Sequence, residues 1–216
     1  MRGLGDVYKR QVLYNGVDLT TYTPLGEEQP PEDVYRVLLV EGHLKGGTEQ
    51  GLETAVELIH RLDGEVDKPV ELMVVSDVPM DIRKHMEEHT RVPIRWKGIV
   101  PREQVPGLDR SAHVLFSADL NAACPNAVVE ALACGLPVAA YATGALPELV
   151  AGDAGRVVPY GSDYWNLEPP DVDSLLRGVK ELLGDQKRFR IAARQRAEEA
   201  FNLDGMVEGY LAALLG

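Results

Sequence analysis

The chain has 216 residues with 45% hydrophobic and 26% charged content, enough for one well-filled core. Asp plus Glu number 34 against 22 Lys plus Arg, a net charge of −12, which argues against a nucleic-acid or anionic-membrane surface. No apolar run approaches the ~20 residues that span a bilayer, so no transmembrane segment is expected. Cys124 and Cys134 bracket one predicted helix, roughly 15 Å apart at 1.5 Å per residue, too far for a disulfide. A reduced, cytoplasmic protein is the simpler reading.

Taken in chain order, residues 1–11 are set aside, because Asp6 to Gln11 reads as the translation of a transposase sequencing adapter. Residues 12–34 read as a strand end at Val12–Tyr14, an Asn15-Gly16 turn, and a loop rich in Pro, Gly and Glu. From Tyr35 a β–α alternation begins. Val37–Val40 is the first buried strand, followed by a Gly-rich loop over Gly42–Thr48 and a helix over Glu49–Leu62 with Leu52, Val56, Ile59 and Leu62 on one face. Val70–Ser76 is the second strand, Met80–His89 a polar helix, and Ile94–Lys97 a third strand. A short helix over Arg102–Asp109 and a fourth strand over His113–Phe116 come next.

The stretch around which the rest is organised runs from Cys124 to Val150, reading as helix, turn, strand, loop, helix. Pro125 suits the first helical position, where its missing N–H costs nothing. Val128, Val129, Leu132 and Ala133 form a stripe that packs on a sheet, and Gly135 is placed for a left-handed cap. Pro137–Tyr141 is a fifth strand, Gly144 opens a loop, and Pro147-Glu148-Leu149 begins another helix. Arg156–Pro159 is a sixth strand. The tail is helical over Asp171–Leu183, Lys187–Phe201 and Leu203–Leu215. The expected fold is thus α/β: a doubly wound, Rossmann-like, parallel six-stranded sheet with helices on both faces and a helical C-terminal tail.

In such sheets ligands bind beyond the carboxyl ends of the strands, where Gly42–Thr48, Ser117–Pro125 and Thr143–Leu146 converge. A helix beginning at Pro125 presents free backbone N–H groups at Asn126 and Ala127, a seat for phosphate. Glu130, on its second turn, is a carboxylate able to accept from a ribose diol. An ordinary sheet-packing helix with a solvated glutamate fits the same spacing.

Several other signals point elsewhere and fall short. Gly42-x4-Gly47-Thr48 has near P-loop spacing but lacks the lysine before Thr48. His85-Met86-Glu87-Glu88-His89 fits H-x-x-E-H, but lies on a polar helix with no third ligand to name. No G-x-S-x-G is present, and no G-x-G-x-x-G follows the first strand. His113 reads as a satisfied core histidine, and Trp165 as a loop anchor more than a stacking platform.

The run Glu130-Ala131-Leu132-Ala133-Cys134-Gly135-Leu136-Pro137-Val138, with Gly144-Ala145-Leu146-Pro147-Glu148-Leu149, resembles the C-terminal domain of retaining two-domain glycosyltransferases of group 1 (family 4-like, B-type fold). Their pattern is E-x7-E, then EA-x-A-x-G-x-PV and a Gly-rich loop ending in P-E, and the likeness extends from about Tyr14 to the C-terminus. One departure stands out: the first Glu of E-x7-E falls on Ala122.

The resemblance implies a domain, residues 35–216, that binds a nucleotide-sugar donor for retaining transfer of the sugar to an acceptor hydroxyl. It implies no metal and no other cofactor. The diphosphate would meet Gly42, His43 and Lys45 in the first loop, Pro125, Asn126 and Ala127 at the helix start, and Gly144, while Glu130 holds the ribose. Asn121 and Asp119 are the candidates to stand in for the lost glutamate as catalytic residues. Asn15-Gly16-Val17-Asp18 resembles the segment that follows the interdomain crossing, so an acceptor-binding N-terminal domain is expected upstream, with any membrane association left to it. Two alternatives remain: a degenerate, non-catalytic nucleotide- or glycan-binding module, which Ala122 favours, and a nucleotide-sugar epimerase of the same architecture.

Overall fold

The computed structural model describes residues 12–44 and 49–215. The expectations for residues 1–11, for Lys45 and for the remainder of its loop through Thr48 lie outside the described residues.

Six strands form one all-parallel sheet in the order β3-β2-β1-β4-β5-β6. They are β1 Tyr35–His43, β2 Val70–Asp77, β3 Ile94–Trp96, β4 Val114–Ser117, β5 Val138–Tyr141 and β6 Gly155–Val158. Between them run α1 Gln50–Leu62, α2 Met80–Glu88, α3 Val105–Arg110, α4 Asn126–Ala133 and α5 Leu146–Leu149. The tail supplies α6 Val172–Gly184, α7 Gln186–Ala200 and α8 Leu203–Leu215. Short 3-10 turns precede α3 and β6, and another occupies Tyr164–Asn166.

Strand alternation divides the core into two layers, since successive side chains point to opposite faces. Val37, Leu39, Leu72, Val74, Val114 and Phe116 pack with α1 and α6 on one face. Leu38, Met73, Leu115, Val138 and Ala140 pack with α4, α5 and α7 on the other. Both faces are therefore covered, as an all-parallel sheet requires, and the doubly wound fold expected from the sequence is what forms.

Helix α4 closes as its sequence demands. Gly135 has φ +69°, its N–H donates to Leu132 O at 2.9 Å, and the N–H of Leu136 donates to Ala131 O at 2.8 Å. That pair of bonds is a Schellman motif, and it turns the chain directly into β5.

Four expectations need correction. Val12–Asp18 is not a sheet strand: only Val17 pairs, in an isolated bridge with Asn202. Pro125 is the residue before the first helical position, with extended ψ 121°; it caps α4 and its carbonyl accepts from Val128 and Val129. Gly42 and His43 belong to the end of β1, which pairs with β2 as far as His43–Asp77 after an irregularity beyond Val40. Trp165 is no anchor, being 71% exposed; Tyr160 is the buried member of that loop and makes an edge contact with Tyr141 at 5.0 Å.

His113 behaves as a core histidine: it is buried, and its Nδ1 accepts from the N–H of Arg36 at 3.0 Å. His85 and His89 lie together on α2 with ring centroids 4.2 Å apart, and among the described residues no group of three or more His, Cys, Asp or Glu is placed to hold a metal. No helix of the described residues is long and apolar enough to cross a membrane. Along α8 nothing is buried, and Val207, Tyr210 and Leu211 are about half exposed.

Candidate functional site

The strand order reverses direction between β1 and β4, and that switch point leaves a crevice outside the carboxyl ends of the two strands. Two cavities occupy it. One, of about 310 Å³, is walled by Val40, Glu41, Gly42, Ser117, Asp119 and the start of α4, namely Pro125, Asn126, Ala127 and Glu130. The other, of about 340 Å³, lies towards α1 and is walled by Glu41, His43, Leu44, Gln50, Gly51, Ala118, Asp119, Leu120 and Leu167. Glu41 and Asp119 line both.

The first cavity is built from short-range chain geometry. Extended ψ at Pro125 aims the first turn of α4 at the crevice, and no side chain caps that turn. The amides of Asn126 and Ala127 are therefore among the helix's unsatisfied donors, at the positive end of its dipole. Asn126 is steadied from the N-terminal segment, its Oδ1 accepting from Asn15 Nδ2 at 3.0 Å. One turn further on, Glu130 is partly buried beside Arg102, with NH2 to Oε1 at 3.5 Å. Arg102 in turn donates through Nε to the Tyr22 hydroxyl at 3.3 Å. Burial raises the Glu130 carboxyl above its ordinary range, while hydrogen bonding with Tyr22 and the charge of Arg102 act against that rise.

Gly42 stands in the opposite wall. A Cβ built on it would meet nothing within 4 Å among the described residues, so close packing against them does not require glycine there. Gly51, on the first turn of α1, differs: its Cβ would come within 2.5 Å of Ala118 Cβ, so close helix–loop packing explains it. Gln50 ties the rim of the second cavity, donating from Nε2 to Tyr160 Oη at 3.2 Å and to Leu167 O at 3.1 Å. Leu167 holds a left-handed backbone (φ 53°) at that same rim, a conformation that costs a leucine strain.

Of the residues singled out in the sequence, Gly42, Asp119, Pro125, Asn126, Ala127 and Glu130 come together around the first cavity, and His43 lines the second. Lys45 lies outside the described residues. Two others are placed elsewhere. Asn121 is exposed and lines neither cavity; its backbone N–H donates to Asp119 Oδ1 at 3.0 Å. Gly144 packs against Ala122: with φ +53°, its Cβ would fall 2.4 Å from Ala122 O, and the next residue, Ala145, donates its N–H to that same oxygen at 2.7 Å. Ala122 is itself buried, its methyl part of the α4 core layer. Glu41, Tyr22 and Arg102 were not picked out beforehand. For Glu41 a signal existed: a carboxylate that ends an apolar strand run immediately before a glycine.

Fold and crevice together define a class: a doubly wound α/β domain with a polar cleft and an uncapped helix start at its switch point. The family model described as "Glycosyl transferases group 1" matches residues 35–185, more than half of the chain, and the chain belongs to that family. O-antigen chain mannosyltransferase B of Escherichia coli is 31% identical over 107 residues, which cover 50% of this chain and 26% of the relative. The 2-deoxystreptamine N-acetyl-D-glucosaminyltransferase of Streptomyces fradiae is 28% identical over 149 residues, covering 66% of this chain and 33% of the relative. The matched region thus spans only about a quarter to a third of the length of these relatives.

Solved structures share the fold at low identity. A glycosyltransferase from Rickettsia africae superposes with TM-score 0.73 at 16% identity, over 94% of this chain and 56% of its own. The Anabaena protein HepE in complex with UDP gives TM-score 0.71 at 16% identity, over 94% of this chain and 57% of its own.

Proposed function

We propose that this chain is the donor-binding part of a retaining glycosyltransferase, holding a nucleotide-sugar while its sugar passes to an acceptor hydroxyl. The observation that carries the reading is the convergence of the uncapped α4 N-terminus, Glu130 and the open wall at Gly42 on one cavity. The diphosphate takes hydrogen bonds from the Asn126 and Ala127 amides, with no metal required, because a helix start supplies the positive field. The Glu130 carboxylate accepts from the ribose hydroxyls, with Arg102 beside it. The donor sugar extends toward Asp119, whose carboxylate stabilises positive charge developing at the anomeric carbon as the bond to the diphosphate breaks. Asn121 acts on Asp119 through the backbone bond noted above. The acceptor is bound by a separate N-terminal domain, and His43 adds to the wall on the α1 side.

Two features support this over a coincidence of fold. The family is one of glycosyl transferases, and the neighbour HepE was solved with UDP. Calorimetric titration with UDP, GDP and ADP tests the reading. Glu130→Ala should weaken binding at least tenfold, the scale of a lost charged hydrogen bond, about 1.5–3 kcal/mol. Equal affinity for Glu130→Ala and the parent would refute the ribose assignment.

A second reading rests on Ala122, whose buried methyl stands at the position of the family's first glutamate. In it the domain binds nucleotide-sugar without turning it over. An assay for free nucleoside diphosphate with the full-length gene product separates the two: release with acceptor present supports the enzyme, and tight binding without release supports the module.

A further inference from the structure

The crevice poses an electrostatic problem for the ligand just proposed. The titratable side chains that line its two cavities among the described residues are Glu41, Asp119, Glu130 and His43. Glu130 has Arg102 at 3.5 Å. His43, at the end of β1, is 3.7 Å from the Asp77 carboxylate of β2. Glu41 has no hydrogen bond or ion pair among the described residues, and Asp119 accepts only from the Asn121 backbone. A diphosphate entering here meets the carboxylates of Glu41 and Asp119 across the wall shared by both cavities, and like charges at close range repel by several-fold in affinity or more.

We propose that Glu41, at the junction of the two cavities, carries a proton when a nucleotide binds, and that the nucleotide's phosphate takes a hydrogen bond from it. The inference rests on the donor-binding reading above. Its basis is position: Glu41, near the carboxyl end of β1, and Asp119, on the segment after β4, line both cavities, and Glu41 has no hydrogen-bond or ion-pair partner among the described residues. A partly buried carboxyl with a second carboxylate nearby ionises less readily. Burial, with the charge of Asp119 added to it, holds the Glu41 carboxyl up at about 7, in line with that placement. A protonated carboxyl removes one negative charge and offers an O–H donor where an anion arrives. The step balances simply: solvent supplies a proton, Glu41 carboxylate becomes carboxylic acid, and no covalent bond in the ligand changes.

The sign follows from linkage. The ligand binds the protonated form better, so binding raises the Glu41 pKa further. Affinity is then greatest below the free-state value and falls as pH climbs above it, with the complex taking up a proton.

The experiment is titration calorimetry of the whole chain with UDP, GDP and ADP, from about pH 6 to about pH 8.5, in buffers of different ionisation heat. The parent should take up about one proton per ligand near pH 8 and lose affinity by up to about tenfold per pH unit. E41Q, which keeps the shape and the donor, should bind without that uptake and with flat affinity. D119N should move the onset of uptake to lower pH, because the neighbouring charge is gone. The nucleotide's own phosphate ionisation is common to all three proteins, so their differences report the pair. Binding by the parent without proton uptake, or uptake in E41Q equal to the parent's, overturns the proton on Glu41 and leaves donor binding standing. Absence of binding at every pH overturns both.

Discussion

The two ends of the sheet carry similar polar side chains and treat them in opposite ways. At the amino end, Glu71 is 2% exposed, yet it is held by Arg36 at 2.6 Å and by Arg95. Arg36 also donates to Ser111 O at 2.9 Å, and Arg190 to Ala112 O at 2.9 Å, while His113 accepts from the Arg36 backbone. At the carboxyl end, Glu41 has no such partners and the α4 amides are uncapped. Buried polar groups are normally satisfied within the chain. The Glu71 network at the amino end meets that condition within the chain, whereas Glu41 at the carboxyl end has no partner among the described residues.

The largest expected effect comes from breaking the closed end. Arg36→Met leaves Glu71 with Arg95 alone, whose side chain is more than half exposed. Removing one partner of a buried pair typically costs about 3–5 kcal/mol, and the surviving arginine puts the expectation at the lower end. Urea denaturation at neutral pH reads this directly. A loss under about 1 kcal/mol would mean the network is ornamental and the contrast between the two ends overstated.

Acid should act next, through His113. Burial, reinforced by the charges of Arg190, Lys68 and Arg36, lowers its pKa from 6.5 to about 4. The unfolded chain therefore binds a proton that the folded chain refuses. The stabilising contribution is fully present above about pH 6.5 and is lost as pH falls toward 4, by roughly 3 kcal/mol in all. His113→Asn, whose amide oxygen can take the Arg36 N–H, should show a flatter stability profile than the parent across that window. Parallel profiles would place the acid sensitivity elsewhere.

How much of this was legible in the sequence differs between the same two ends. The alternation of apolar runs with helical spacing carried all six strands, and Gly135 announced the end of α4, because both depend on neighbours in the chain. The uncapped helix start at Pro125–Ala127 was legible for the same reason, a helix start being a local event. Glu41 was not. Its environment is made by Asp119 and by the start of α4, which only the sheet's switch point brings to it. Nor was the placement of Gly144, which the sequence offers as a ligand-binding glycine and the fold uses against the Ala122 carbonyl. Ala122 is the hardest position to read: its alignment with a lost glutamate is visible, but its burial follows from the Gly144–Ala145 turn folded over it. Gly42 and His43 read as loop because glycine weakens a strand pattern, whereas pairing with β2 carries the strand through them.

The smallest effect on stability is also the sharpest test of the open end, and it lies in Gly42. A glycine is retained either because the chain needs its backbone freedom or close packing, or because a ligand does. Gly144 belongs to the first kind, with its left-handed φ and its contact at Ala122. Gly42 has neither: it continues β1, its φ is not in the left-handed region, and an added methyl would meet no atom of the described residues within 4 Å. Gly42→Ala should therefore leave stability unchanged or raise it by up to about 1 kcal/mol, through lost freedom in the unfolded chain. Nucleotide affinity should nonetheless fall severalfold, because the methyl points into the cavity that the α4 amides face. Stability and affinity moving in opposite directions is the signature of a position shaped for something the chain itself does not contain. If affinity for UDP, GDP and ADP is untouched while stability rises, the space beside Gly42 is not where the ligand lies, and the phosphate must be sought on the α1 side of Glu41.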